Sequence, residues 1–246
     1  MIDPWYATWF NTEFYHDLYK HRDQYEARGF IEELCSNLKV IPGQTALDMA
    51  CGKGRHAKVL SEQGLITVGI DLSEESIQYA RRFEHKDLRF EKGNMLETLS
   101  VDSCDWIFNL FTSFGYFEND DMHQSAITNM SNSLRPGGKL VLDYMNSAKI
   151  ALNLVPENSV QTELAHYSIT RILEEGTIVK RIRIVKDCEI FNFEERVKAF
   201  SAVELSQLMV KAGLKVVGIK GDYYLSDYDP QSSDRMIIIA QKPIES

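Results

Sequence analysis

The chain has 246 residues, 44% of them hydrophobic, and a formal net charge of −9. That length fits one domain, or one domain with an insertion, and the apolar share is ample for a core. The acids are spread along the chain and the basic footprint of a nucleic-acid binder is missing, so a nucleic-acid partner is not expected.

No segment approaches the ~20 apolar residues of a membrane span, and the first residues lack a basic-then-apolar signal, so no membrane partner is expected. Cys35, Cys51, Cys104 and Cys188 form no C-x-x-C pair, which suggests reduced thiols and a cytoplasmic location. The six histidines, His16, His21, His56, His85, His123 and His166, have no partners at metal spacing, and no metal site is expected.

From Trp5 to Phe30 the chain is rich in aromatic residues, and Phe14, Leu18 and Tyr25 keep roughly helical spacing. Two readings stand for this segment. It is a lid over a ligand, with Tyr15 or Tyr19 reaching the site, or it packs on a sheet edge or a second subunit. An amphipathic helix follows, roughly Glu26 to Leu38. After the turn signal Pro42-Gly43, Thr45 to Met49 reads as a short buried strand. Asp48 sits at its carboxyl end, where open α/β sheets bind ligands, and an acid there can accept hydrogen bonds from an ammonium. Ala50-Cys51-Gly52-Lys53-Gly54 then forms a turn into a helix starting near Gly54 or Arg55. Gly52 and Gly54 give backbone freedom and close approach, and the helix start offers unpaired N–H groups. Gly52-x-Gly54-x-x-Ala57 also fits a dinucleotide fingerprint, and an ordinary tight connection is the bland alternative.

Leu65 to Ile70 is a second apolar strand ending in Asp71, with Ser73 as the cap of the helix that follows. Asp71 suits either ribose hydroxyls or that helix start. Leu88 to Glu91 is a third strand, followed by Gly93-Asn94-Met95, where Asn94 is also a common turn residue. Trp106 to Leu110 is the fourth, delivering Asn109 and Leu110 to the carboxyl edge. Ser113 and Tyr116 are polar groups in an apolar loop, which suits a site that excludes water. Tyr116 reads either as a catalytic group or as a buried tyrosine with a satisfied hydroxyl. A helix from about Asp121 to Leu134, a turn at Pro136-Gly137-Gly138 and a strand from Lys139 to Asp143 come next. Tyr167 to Leu173 and Thr177 to Lys186 read as a hairpin joined at Glu174-Glu175-Gly176, with Phe191 to Phe200 as a third antiparallel strand. Ser201-Ala202-Val203-Glu204 is a capping box, and Leu214 to Ile219 with Arg235 to Gln241 close the sheet as an antiparallel pair.

Leu47-Asp48-Met49-Ala50-Cys51-Gly52-Lys53-Gly54-Arg55-His56 and Gly69-Ile70-Asp71-Leu72-Ser73, with Gly93-Asn94-Met95, the fourth strand and Leu134-Arg135-Pro136-Gly137-Gly138, make the chain similar to class I S-adenosylmethionine-dependent methyltransferases of the bacterial small-molecule type. The resemblance runs from about Trp5 to Lys242. Ala50 stands where many members carry glycine, and Asn94 where many carry aspartate. It implies a Rossmann-like α/β fold: a seven-stranded, mostly parallel sheet with helices on both faces and an antiparallel β insertion as a lid. It implies S-adenosyl-L-methionine as cofactor, bound by Asp48, Ala50, Cys51, Gly52, Gly54, Asp71, Leu72, Asn94, Met95, Asn109 and Leu110. Residues 1–40 would be the lid segment, 41–150 and 201–246 the cofactor-binding core, and 151–200 the insertion over the acceptor site. The implied reaction is in-line methyl transfer to a small-molecule N or O nucleophile, by a monomer or homodimer. A non-catalytic cofactor-binding protein is the alternative. An NAD-dependent dehydrogenase is weaker, because Asp48 would repel a pyrophosphate.

Overall fold

The computed structural model describes residues 5–20, 24–99 and 103–244. Residues 1–4 and 21–23 of the N-terminal segment, His21 among them, lie outside the described residues. In chain order the first elements are α1 (Trp5–Trp9), α2 (Glu13–Leu18), α3 (Gln24–Leu38), β1 (Thr45–Met49), α4 (Arg55–Glu62), β2 (Ile66–Asp71), α5 (Glu74–Ala80) and β3 (Leu88–Lys92). There follow β4 (Cys104–Asn109), α6 (Asp120–Ser133), β5 (Leu134–Met145), α7 (Ser147–Leu152), β6 (Glu157–Gln161) and β7 (His166–Glu174). The last are β8 (Thr177–Lys186), β9 (Glu189–Lys198), α8 (Ala202–Lys211), β10 (Lys215–Lys220) and β11 (Arg235–Gln241).

Seven strands form one sheet in the order β10-β11-β5-β4-β1-β2-β3. Only β11 runs against its neighbours. The inner strands are continuous apolar runs because both of their faces are covered. Ala46, Leu47 and Met49 of β1 are at most 1% exposed. Phe30, Ile31 and Leu34 of α3 pack with Val59 and Leu60 of α4 on one face. Ala126, Ile127 and Met130 of α6 pack with Leu205 and Leu208 of α8 in the other core cluster. Each fully buried side chain of this size stabilises by about 1.5–3 kcal/mol. The order reverses between β1 and β4, and the carboxyl ends of strands at such a switch point leave a crevice.

The second sheet is antiparallel, in the order β6-β7-β8-β9. Glu175 and Gly176 both take positive φ, so β7 and β8 are joined by the tight two-residue turn that right-twisted strands favour. Tyr167, Ile169, Ile182 and Ile184 on one side of this sheet pack against Trp9, Phe14 and Leu18 of α1 and α2. Ile178 and Val197 join the main core instead.

Local signals hold at several ends. The Ser73 hydroxyl accepts the Ser76 N–H at the start of α5. Ser201 and Glu204 form the reciprocal capping box of α8. Two expectations are corrected, and two short elements went unread. β5 starts at Leu134 rather than Lys139, with a break in register opposite Cys104 and Trp106 that absorbs Pro136-Gly137-Gly138. Tyr25 is 84% exposed, so it does not belong to the buried stripe of Phe14 and Leu18. The strand β6 carries one partly buried apolar residue, Val160, among polar ones, and so gives no alternation to read. The six-residue α7 is too short for a helical period to register.

Candidate active site

The loop between β1 and α4 is held in left-handed backbone conformation at Ala50 (φ 61°), Gly52 (φ 54°) and Gly54 (φ 81°). A Cβ added to Gly52 meets nothing within 4 Å, so its bare backbone faces open space. Gly54 is different, because a Cβ there would lie 2.6 Å from the Phe90 ring. Gly54 is therefore a packing glycine beneath the loop, and the expected close approach of a ligand belongs to Gly52 alone.

Asp71, at the end of β2, accepts the Gly52 N–H on Oδ2 at 2.7 Å and the Ser73 N–H on Oδ1 at 2.8 Å. Burial raises its pKa, and these backbone N–H groups oppose the rise. Each oxygen keeps a further lone pair, so both tasks set out for Asp71 are compatible. Asn94 makes a turn contact, its Oδ1 accepting the Leu96 N–H at 3.0 Å.

A cavity of about 810 Å³, within the usual range for small-molecule sites, opens along this carboxyl edge. Ala50, Cys51, Gly52, Asp71 and Leu72 line it, as do Asn94, Met95 and Leu110. Asp48, Gly54 and Asn109 stand behind that lining. Asp48 is 1% exposed, and burial pushes its carboxyl up to about 7, with the Ala57 N–H opposing and Asp71 adding to the shift. Its Oδ2 has no partner among the described residues. Asn109 donates to the Met49 carbonyl at 3.0 Å, and its own buried Oδ1 has no partner among the described residues.

The N-terminal segment lies against the same cavity. The Ser73 hydroxyl donates to Asn11 Oδ1 at 2.5 Å, joining the segment to the loop after β2. At its other side, Trp9 Nε1 and the Tyr19 hydroxyl donate to Glu195 of β9 at 2.7 and 3.0 Å, and Lys180 reaches the same Tyr19 oxygen. Tyr15 and Tyr19 both line the cavity, with ring centroids 4.9 Å apart. Trp5, Tyr6 and Phe10 contact the Tyr116 ring at 5.2, 6.0 and 5.6 Å.

The facing wall is the turn after β4, where Phe111 (φ 66°) and Thr112 (φ 57°) are successive left-handed residues. A bulky and a β-branched residue rarely adopt that conformation, which costs roughly 1–2 kcal/mol each. Asp143 of β5 holds them in place. Its carboxylate accepts the Phe111 N–H at 2.8 Å, and its carbonyl accepts the Thr112 N–H at 2.9 Å. Arg235 at the start of β11 donates from Nε to Asp143 at 2.7 Å and from Nη2 to Thr112 Oγ1 at 3.0 Å. Tyr116 is on this wall, with its hydroxyl proton directed at the Thr112 carbonyl. Burial holds its pKa well above the usual phenol range, so it stays neutral. Asp143, Arg235, Lys180 and Glu195 were not singled out from the sequence. One signal was present: Asp143, like Asp48 and Asp71, is an acid at the carboxyl end of a strand.

Residues 46–138 match the family model described as "Methyltransferase domain". Residues 46–138 are thus a methyltransferase domain, and the relatives and solved structures similar to the chain support the class I S-adenosylmethionine-dependent family. It is 21% identical over 213 residues to a cypemycin N-terminal methyltransferase from Streptomyces sp, covering 84% of this chain and 87% of that one. It is 32% identical over 116 residues to the glycine N-methyltransferase of Mus musculus, covering 41% of this chain and 40% of that one. An S-adenosylmethionine-dependent methyltransferase from Clostridium acetobutylicum ATCC 824 has the same fold, with a TM-score of 0.79 at 19% identity over 94% of this chain and 96% of that one.

The chain is thus an enzyme, a methyltransferase, and its cofactor is S-adenosyl-L-methionine. Its cavity fits that molecule chemically: bare backbone at Gly52, carboxylate oxygens at Asp71, and the apolar Leu72 and Met95 on the same lining. No helix among the described residues of this methyltransferase is long and apolar enough to cross a membrane.

Proposed function

We propose that this methyltransferase transfers the methyl group to an amine nitrogen of a small molecule. The observation that carries the reading is the aromatic wall: Trp5, Tyr6, Phe10 and Tyr15 lie with Tyr116 along one cavity, and the Glu195 carboxylate lines it too. A nitrogen nucleophile gains positive charge as it is methylated. Aromatic rings and a carboxylate stabilise that charge where water is excluded. An oxygen nucleophile gains no such lasting charge. The names of the cypemycin N-terminal and glycine N-methyltransferases support nitrogen as the acceptor atom.

The cofactor supplies an activated methyl on a good leaving group, so the chain contributes alignment and dryness more than acid–base chemistry. In this reading Ala50, Cys51, Gly52, Asp71, Leu72, Asn94, Met95 and Leu110 hold the cofactor. Asp48, Gly54 and Asn109 shape the loop and edge from behind. Residues 1–40 cover the cleft in this reading, with Tyr15 and the Tyr19 ring near the cofactor. Residues 151–200 shape the acceptor side, and residues 41–150 with 201–246 form the binding core. Tyr116 contacts the acceptor with an oxygen whose proton is already committed to Thr112, so it receives an N–H.

The test is incubation with labelled methyl donor and a panel of amines, phenols and carboxylates. Label in amines, with release of demethylated cofactor, is the expected result. Label confined to oxygen acceptors overturns the nitrogen assignment. A protein that binds the cofactor and labels nothing supports the non-catalytic alternative.

A further inference from the structure

Arg235 has a task beyond balancing Asp143, and the geometry points to it: the guanidinium is a subsite for an anionic group, a carboxylate or phosphate, on the acceptor. This extends the amine reading above by naming what else the acceptor carries.

The first ground is how completely the side chain is fixed. Its charge is met by a carboxylate that is fully buried on β5, at 2.7 Å from Nε. A lysine at 235 would satisfy that charge equally well. What a lysine lacks is the second bond, from Nη2 to Thr112 Oγ1 at 3.0 Å, which sets the plane of the guanidinium. Phe111 and Tyr223 flank it, with ring centroids 5.9 and 5.6 Å from Cζ. A flat cation is thereby held at one orientation.

The second ground is what is left over. A guanidinium has five N–H donors, of which Asp143 and Thr112 take two. Nη1 has no acceptor among the described residues, and Arg235 lines the cavity with its side chain 15% exposed. The remaining donors on Nη1 and Nη2 form the fork that two oxygens of a carboxylate or phosphate match in parallel.

The third ground is strain. Thr112 accepts from Arg235 only because the Phe111–Thr112 turn is held left-handed, against the preference of both residues. Strain of this kind persists where surrounding structure enforces it, and it clusters at ligand clamps. Here the enforcing group is Asp143, which binds Arg235 and both residues of the turn. One buried carboxylate thus sets the turn and the cation together. Tyr116, Glu195 and Arg235 all line the same cavity, which is the acceptor space of this proposal. The amine end faces Glu195 and the aromatic wall, and the anionic end faces Arg235.

The test is side-chain NMR of the full chain, saturated with demethylated cofactor, following the Arg235 Nε–H and Thr112 amide signals. Acetate, methyl phosphate and neutral acetamide are titrated separately. Saturable shifts from acetate or methyl phosphate, at concentrations about tenfold or more below any acetamide effect, are expected. The anion that saturates first distinguishes a carboxylate-bearing from a phosphate-bearing acceptor. Arg235→Lys keeps a charge beside Asp143 and removes the fork, so it should abolish the Thr112 shift. Equal shifts from acetamide, shifts confined to surface lysines, or silence with both anions overturn the subsite, and these need only the unaltered chain. Amine methylation without any anion effect sinks the subsite and leaves the nitrogen reading in place. Anion binding without amine methylation supports the subsite and sinks that reading.

Discussion

The Asp71 carboxylate accepts the Gly52 N–H at 2.7 Å, tying the end of β2 to the loop after β1. One residue thus shapes the glycine loop and offers its remaining lone pairs to the cavity. Asp71→Ala should weaken binding of demethylated cofactor by about 1.5–3 kcal/mol, since hydrogen bonds to a charged acceptor are lost. Asp71→Asn keeps one acceptor oxygen for Gly52 and should lose less. Calorimetry decides, and undiminished affinity in Asp71→Ala removes the residue from the site.

The two glycines of the loop should part company under substitution. Gly52→Val places a branched side chain in open space over the cavity and should abolish cofactor binding while the fold survives. The left-handed backbone adds about 1–2 kcal/mol of strain. Gly54→Ala meets the Phe90 ring instead, so its first effect should be a lower melting temperature. Tight cofactor binding by Gly52→Val would mean that the ligand lies elsewhere.

Tyr15 and Tyr19 are separable by the same logic. The Tyr19 hydroxyl is engaged with Glu195 and Lys180, so Tyr19→Phe should cost about 0.5–1.5 kcal/mol of stability. Its cofactor affinity should change little. Tyr15→Phe should lose about 0.5–1.5 kcal/mol of cofactor binding. Paired thermal and calorimetric titrations check both, and the expectation for Tyr15 fails if its affinity matches the parent.

Asp48 gives the ligand-free protein a pH signature. Its folded-state pKa of about 7 lies above the ordinary carboxyl value, so the native state keeps a proton that the unfolded chain releases. Its contribution is therefore most favourable in acid and is lost as pH climbs through about 7. Asp48→Asn removes this loss, and relative to the parent it should gain a few kcal/mol between pH 4.5 and 7.5. Urea titrations at the two pH values measure the gain. Parallel behaviour of parent and variant would show that Asp48 titrates normally.

Much of the sheet was legible because strands covered on both faces leave dense apolar runs, and β11 was placed to the residue. The glycine loop was legible for a related reason: Gly52, Asp71 and Asn94 all sit just past strand ends. Gly54 misled, because its need for a missing Cβ comes from Phe90, thirty-six positions away. The Asp143–Arg235 pair was hidden in the same way. Ninety-two residues separate them, and each alone looks like the end of an apolar strand. Contacts of that range are made by topology, and no local pattern records them. The strand β6 went unread because an exposed edge strand has no buried face to impose alternation.

Lys198 joins the second sheet to the core through its main chain: its N–H donates to the Gly115 carbonyl and its carbonyl accepts the Tyr144 hydroxyl. Neither bond depends on the side chain at 198, nor on any side chain of β6 to β8. Substitution of the side chain at 198 should therefore leave both main-chain bonds of this joint in place.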